Sequence, residues 1–305
     1  MKKSFLGNSG IEVSEIALGC MSLPTEAKQA GIIVDEAIAQ GINYFDTADL
    51  YNKGINEEVV GKALKHHRKE IVLATKVGNQ WSAQSDEVKW NPTKAYIKEQ
   101  IHASLKRLQT DYIDLYQLHG GMITDDAEET IEAFEDLKKE GMIRAYGISS
   151  IRPNVIKRFL DKGNIASIMM QYSLLDRRPE ELLDSIGQAG KSVVTRGTLA
   201  KGLLTSEGLQ RAGKTDDFLS YSKDELKNTL KKLLAVHDNL HALALHSILQ
   251  HDTIRSVVAG ASSADQINAT IKAYETSVSP EQITQAKTIT RQDIYQEHRD
   301  KVTGP

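Results

Sequence analysis

Short apolar runs alternate along the chain with stretches whose apolar residues recur every three or four positions. Such alternation argues for repeated strand–helix units and a parallel sheet. The runs predict eight strands, near residues 15–19, 42–46, 71–76, 112–118, 143–148, 167–171, 192–196 and 255–259. Helices are expected near 26–39, 56–67, 93–107, 126–140, 152–162, 179–189, 223–235 and 264–273. Eight parallel strands closing on one another leave no open edge, so the expected fold class is α/β, a (β/α)8 TIM barrel. Local signals agree. Asn91-Pro92-Thr93 opens a helix carrying Ile97, Ile101, Leu105 and Leu108, while Gly41 and Gly141 follow helices where a positive φ turns the chain toward the next strand. Asn8-Ser9-Gly10, between Phe5-Leu6 and Ile11-Val13, predicts an N-terminal β-hairpin that plugs the N-terminal end of the barrel. Two connections, 77–92 with Trp81 and Trp90, and 197–222, are long enough to be functional. No break in composition suggests a second domain, so 1–305 is read as one. The polar tail from Arg291 is expected to run over the surface, with Lys301-Val302-Thr303-Gly304-Pro305 frayed.

Composition narrows the function classes. The 305 residues suit one barrel, and 40% hydrophobic with 26% charged residues is ordinary for a globular chain. A net charge of −3 gives no global field for nucleic acid or an anionic membrane, and neither is expected as a partner. Cys20, the only cysteine, excludes an internal disulfide and a multi-cysteine metal site. It follows Ile16-Ala17-Leu18-Gly19 and reads as a small buried residue rather than a nucleophile, in a chain suited to a reducing compartment. The basic start Met1-Lys2-Lys3 is not followed by a long apolar run, and no stretch reaches a membrane-spanning length of roughly 18 apolar residues. A cytoplasmic location is the expectation.

The chemistry lies at strand ends. Asp46, Lys76 and His119 each close an apolar run, and Tyr51 follows just beyond Asp46 in Phe45-Asp46-Thr47-Ala48-Asp49-Leu50-Tyr51. In a barrel of this kind the strands present their C-terminal ends at one face, where active sites are built. Carbonyl reduction needs hydride at carbon and a proton at oxygen, and a phenol gives up its proton readily only when its anion is stabilised. Lys76 can supply the positive charge beside the Tyr51 oxygen, Asp46 can pair with Lys76, and a neutral His119 can orient a carbonyl. Taken singly, each has a plainer role: Asp46 a turn cap, Tyr51 a loop aromatic, His119 a core histidine. Lys76 resists that treatment, because lysine is rarely buried without a partner. Their joint placement on one face favours chemistry. Other motifs are weaker. No G-x-G-x-x-G links a strand to a helix; His237 and His241 lack the glutamate of a zinc-protease pattern and are expected on a solvated helix face. Lys65-His66-His67-Arg68-Lys69 ends a helix, where cations offset its dipole.

The order and context of Asp46, Tyr51, Lys76 and His119, with Gln171-Tyr172 and Val258-Ala259-Gly260-Ala261-Ser262-Ser263, resemble the aldo-keto reductase family over nearly the whole chain. The resemblance implies an NAD(P)H-dependent oxidoreductase that reduces a small aldehyde or ketone to an alcohol, with those four residues catalytic. It further implies that Ser149 and Gln171 hydrogen-bond the nicotinamide carboxamide, joined by Ser150 where relatives commonly carry Asn. Arg196 stands where the family often stacks an aromatic on the nicotinamide, and a planar guanidinium can also stack. Gly197, Leu199, Lys201 and Gly202 resemble the loop closing over the pyrophosphate. Gly260, Ser262 and Ser263 would offer free backbone N–H groups at a helix start, with Thr270 near the adenine. Gly260 and Gln266 stand where Lys and Arg often meet a 2'-phosphate, so NADPH is expected to be preferred over NADH by a reduced margin. The same fold implies two alternatives: a cofactor-binding regulatory subunit resembling channel-associated β subunits, and an aldolase using Lys76 as a Schiff base.

Overall fold

The structure is a computed structural model that describes residues 1–82 and 85–299, so the expected fraying at 301–305 lies outside the described residues. The strands are β1 (Lys3–Phe5), β2 (Glu12–Ser14), β3 (Ile16–Gly19), β4 (Tyr44–Asp46), β5 (Val72–Val77), β6 (Asn79–Ser82), β7 (Ser85–Trp90), β8 (Ile113–Leu118), β9 (Ile143–Ser149), β10 (Ser167–Gln171), β11 (Ser192–Arg196) and β12 (Ile254–Gly260). The helices are α1 (Ala27–Ala39), α2 (Ile55–Leu64), α3 (Lys94–Leu108), α4 (Ala127–Lys139), α5 (Pro153–Lys162), α6 (Glu180–Gln188), α7 (Gly208–Lys214), α8 (Lys223–Val236), α9 (Leu240–Leu249), α10 (Ala264–Glu275) and α11 (Pro280–Ile289). Eight parallel strands close in the order β3-β4-β5-β8-β9-β10-β11-β12, so the expected TIM barrel is the observed one and all eight predicted strands fall in place.

Side-chain alternation along the strands builds the layers. Ile16, Leu18, Phe45, Leu73 and Tyr116 face outward into the packing with the helices, while Ala17, Tyr44, Val72, Ala74 and Leu115 fill the barrel interior. The antiparallel hairpin of β1 and β2 pairs Lys3 with Ser14 and Phe5 with Glu12, and its turn uses Gly7 and Gly10 at φ of 48° and 74°. Leu6, Ile11 and Val13 join the interior cluster, so the hairpin is a plug in contact with barrel side chains. At the same end, Arg68 bonds the Asp114 carboxylate at 2.8 Å and the Tyr112 carbonyl at 2.7 Å. The basic run thus contributes a fixed tie besides offsetting a helix dipole.

Three helices and one hairpin escaped the sequence pattern. The connection 77–92 is the hairpin of β6 and β7, with Asn79 opposite Trp90. The connection 197–222 contains α7, and α9 and α11 were not anticipated. Helix α9, LHALALHSIL, is buried on most sides, so it shows no polar face for a period to reveal. Together with α8 and the 199–204 loop, these helices enclose a second apolar cluster around Leu175, Leu204, Leu230 and Leu243. The reading of His237 and His241 as one solvated helix face is corrected here. His237 terminates α8 and its ring accepts the Asn239 N–H at 3.0 Å, while His241 sits in the first turn of α9 with its Nε2 buried and unpaired. Asn239, capping α9 through the Ala242 N–H, breaks the helix between them.

Truncating the plug should be costly, because Leu6 is fully buried against interior side chains. Leu6→Ala is expected to lower unfolding free energy by about 2–5 kcal/mol in urea denaturation. A loss under about 1 kcal/mol would mean that the hairpin contributes little to closing this end.

Candidate active site

The top layer of the barrel interior is polar. Strand alternation turns Asp46, Lys76 and Gln117 inward on the same faces as Tyr44, Ala74 and Leu115, and the pairing of β5 with β8 sets Lys76 opposite Gln117. Lys76, only 1% exposed, donates from Nζ to Asp46 Oδ1 at 2.5 Å, to the Thr47 carbonyl at 2.7 Å and to the Tyr51 hydroxyl at 3.5 Å. Its three donors are thereby used. Gln117 donates to the second oxygen of Asp46 at 3.2 Å. Burial pushes the Asp46 carboxyl up, against the opposing pull of Lys76; Lys76, penalised by burial, is nonetheless held above its ordinary value by Asp46 and then Tyr51. The pair is read as ionic, since an ammonium with three converging oxygen acceptors is better satisfied than a neutral amine. A charged lysine with no free donor does not suit a Schiff-base nucleophile.

Tyr51 is set by a costly turn. After β4, the Thr47 N–H bonds the Ala74 carbonyl at 2.9 Å and the Tyr51 N–H bonds that of Ala48 at 3.2 Å. Asn52 and Lys53 then take left-handed φ values of 49° and 50°, followed by Gly54 at 84°. The buried Thr47 hydroxyl donates to Asn56 Oδ1 at 2.6 Å, and Asn56 donates to the Cys20 carbonyl at 2.8 Å, tying the turn to the end of β3. Cys20 is fully buried, and its thiol is pushed up by burial and by Asp46, which leaves it a packing residue. His119 extends β8 through its N–H to the Val77 carbonyl at 2.7 Å, and its ring stands edge-on to Tyr51 with centroids 5.9 Å apart. Its Nδ1 is buried without a partner, and burial, then Lys76 and Arg196, lower its pKa to about 3. The imidazole is neutral at ordinary pH.

Beside this layer runs a cavity of about 1050 Å³ between the loop after β11 and the end of β12 with α10. Of the residues anticipated for the cofactor, Gly197, Leu199, Lys201, Gly202, Gly260, Ser262, Gln266 and Thr270 line it. Ser149, Ser150, Gln171 and Arg196 lie at the neighbouring strand ends instead, with Met169 opposite Ser149 and Gln171 opposite Arg196. Arg196 donates to Gln171 Oε1 at 2.9 Å, Gln171 donates to Asp176 at 2.9 Å, and Ser150 Oγ accepts the Arg152 N–H. Gly197 and Gly202 have φ of 69° and 84°, the left-handed region that favours glycine, and a Cβ at Gly202 would also have to displace the Arg211 side chain, whose Nε lies at 2.8 Å. Ser263 caps α10 and does not line the cavity. The expectation of free N–H groups there needs correcting at one position: Gln266 reaches back and accepts the Ser262 N–H at 2.8 Å. Thr270 donates within its own helix to the Gln266 carbonyl.

Sequence reasoning missed Gln117, although it stands two residues before His119 on the same strand face. It also missed Arg211, Asn239 and His241 on the cavity wall, which come from segments distant in sequence, and Lys272, on the same helix as Gln266 and Thr270. The cavity fits an extended dinucleotide: it has the volume, a glycine-rich loop on one wall and a helix N-terminus on the other. Among the described residues no cluster of His, Cys, Asp or Glu could hold a metal, and no helix is long and apolar enough to cross a membrane.

Known proteins match this chain over nearly its whole length. Residues 15–291 match the profile of the aldo/keto reductase family. The chain is 52% identical to the oxidoreductase YqkF of Bacillus subtilis over 305 residues, covering 98% of this chain and 100% of the relative. It is 31% identical to the NADH-specific methylglyoxal reductase of Escherichia coli over 311 residues, covering 92% and 95% respectively. Among solved structures it resembles the holo form of aldo-keto reductase AKR11C1 from Bacillus halodurans, with a TM-score of 0.94, 53% identity and coverage of 98% and 100%.

The depressed His119 has a consequence for stability. Above about pH 6.5 its imidazole is neutral folded and unfolded; as pH falls the unfolded ring takes up a proton, whereas the folded ring resists until about 3. The stability associated with His119 is therefore complete above its unfolded value and is lost as pH falls toward 3. His119→Asn should lose stability less steeply than wild type between about pH 6.5 and 4, as read from urea midpoints across that range. Equal slopes would contradict a buried neutral imidazole.

Proposed function

The chain belongs to the aldo/keto reductase family, whose members are NAD(P)H-dependent enzymes acting on small carbonyl substrates, and we propose that it reduces an aldehyde or ketone with Tyr51 as proton donor. The observation that carries this reading is the convergence of Asp46, Thr47 and Tyr51 oxygens on the buried Lys76 ammonium. When bound, the nicotinamide supplies hydride to the carbonyl carbon. The protein's part is electrostatic and geometric. Lys76 stabilises the phenolate left when Tyr51 gives its proton to the carbonyl oxygen, and Asp46, fixed by Gln117, holds Lys76 in place. Neutral His119, edge-on to Tyr51, orients the carbonyl by hydrogen bonding without competing as an acid. Ser149, Ser150 and Gln171 would hold the carboxamide, Arg196 would stack on the nicotinamide, and Gly197 to Gly202 with Ser262 would hold the pyrophosphate and ribose side. The cytoplasm is the proposed place of action, on the free Cys20 thiol.

Tyr51→Phe tests the reading. Nicotinamide oxidation followed spectroscopically with a panel of aldehydes, ketones and quinones should fall by about 10²–10⁴-fold in kcat. Cofactor affinity should stay within a few fold, because the phenol acts on the substrate oxygen. Near wild-type turnover in this variant would remove Tyr51 as the principal acid.

For the cofactor, NADPH is the proposed preference, supported by Lys272 on the cavity wall and by the Ser262 hydroxyl. The margin is small. Gly260 and Gln266 carry no charge where basic residues would help, and Gln266 occupies the Ser262 N–H that a phosphate could use. The Escherichia coli relative is named for NADH specificity, so a family member at this distance can take the other cofactor. Gln266→Arg should widen the NADPH preference by roughly 1.5–3 kcal/mol through a charge-assisted bond. Titration of both proteins with NADPH and NADH at fixed salt checks this: tighter NADH binding by the wild type defeats the preference, and an unchanged ratio defeats the role of position 266.

A further inference from the structure

Beneath the Tyr51 turn lies a carboxyl group that the reaction as described does not use. Asp49 is completely buried, its backbone N–H reaches the Lys76 carbonyl at 3.4 Å, and neither side-chain oxygen meets a protein donor in hydrogen-bonding geometry. The charges around it are already matched. Asp46 holds Lys76 on one side, while Glu57 of α2, also fully buried, holds Arg107 of α3 at 2.6 Å and accepts from the Thr75 and Ser104 hydroxyls. Asp49 is therefore the odd acid in a dry cluster, where a lone carboxylate is far costlier than a neutral carboxylic acid. Burial, then the charge of Glu57, push it well above the usual carboxylate range, against weaker pulls from Arg107, the Leu50 N–H and Lys76. The phenols of Tyr96 and Tyr116 share this field and add no positive charge.

We propose that Asp49 is carried as a neutral, protonated acid and is a positioning residue for Tyr51: it seats the turn from below without placing a further negative charge beside Lys76. The turn needs such a seat, because Asn52 and Lys53 follow Tyr51 in left-handed conformations that surrounding contacts must maintain. An ionised Asp49 would compete with Asp46 and the Tyr51 anion for one ammonium. This function rests on the proposed role of Tyr51, whereas the protonation state does not.

Denaturant unfolding of wild type and Asp49→Asn between about pH 5 and 8 tests the protonation state. Unfolded Asp49 releases its proton near 3.9 while the folded group keeps it, so the folded state binds more protons and wild-type stability falls as pH rises. Relative to Asp49→Asn, which cannot ionise, the wild-type folding equilibrium constant should drop about tenfold per pH unit across that window. Parallel curves would overturn the proposal whatever Tyr51→Phe shows. Should the Asn variant not fold, the wild-type Asp49 carboxyl carbon read by NMR decides: no titration below about pH 7 supports the neutral acid, and titration near 4 overturns it. For positioning, Asp49→Ala should lose about tenfold or more in kcat with KM little changed, and Asp49→Asn should restore most of it. An Ala variant with wild-type kcat, or an Asn variant as poor as Ala, would overturn the seating role.

Discussion

The site depends on one buried ion pair. A lysine ammonium at the centre of a barrel loses its hydration, and only close acceptors can offset that loss. Asp46 and the Thr47 carbonyl lie within 2.7 Å of Lys76 Nζ, and the Tyr51 oxygen completes the set at 3.5 Å. The third contact is the long one. Lys76 is therefore anchored by its two short bonds, and its third, longer one faces the hydroxyl of the proposed proton donor. Closure of the barrel makes this geometry possible, because Asp46, Lys76 and Gln117 come from three adjacent strands whose register brings them into one layer.

Anchoring the cation leaves the phenol to be aimed by the loop. Left-handed backbone at non-glycine residues costs roughly 1–2 kcal/mol each, and the chain accepts it at Asn52 and Lys53 beside Tyr51, and at Ala200 and Lys201 beside the cavity. All four lie on connections at the C-terminal face. Both turns are held by bonds to other elements: Thr47 to Asn56 to the Cys20 carbonyl at the first, and Thr198 to the Tyr172 carbonyl just before the second. These two left-handed pairs thus stand next to the proposed acid and the proposed phosphate loop, while Gln109, Leu219 and His298 take the same conformation elsewhere in the described chain.

Much of this was legible in the sequence because barrel strands leave a strong local mark. An apolar run ending in Asp46, Lys76 or His119 is a departure from hydrophobicity at a strand end, and it survives without any knowledge of tertiary contacts. Helix α9 left no mark of that kind, since a helix surrounded by other helices has no polar face. The hairpin of β6 and β7 was hidden for the opposite reason: none of its residues whose burial is described lies in the core, so it carries no apolar run. Gln266 illustrates a third limit. Its position was singled out for the charge it lacks, yet its reach back to the Ser262 N–H depends on a side-chain rotamer at the start of α10 that composition does not encode. Asp49 was passed over because an acid in a loop ordinarily faces water, and only the packing of α2 and α3 makes it an interior group.

These limits fall unevenly across the site, and the unevenness has a physical origin. The layer around Lys76 is dry, and the ammonium and its carboxylate had to be satisfied by particular neighbours, which confines the residue types that can stand there. The wall of the cavity is open to solvent, so Lys201, Arg211, Gln266 and Lys272 can exchange water, one another or a ligand as partners at little cost. Arg211 already does so in part, pairing with Glu207 at 2.7 Å on the same exposed turn. Chemistry is therefore written in residues that few substitutions can replace, whereas cofactor choice rests on exposed groups whose contributions are individually small. The two properties can vary independently in such a barrel: a change at position 266 alters the partner of one exposed N–H and leaves the closed shell of oxygens around Lys76 untouched.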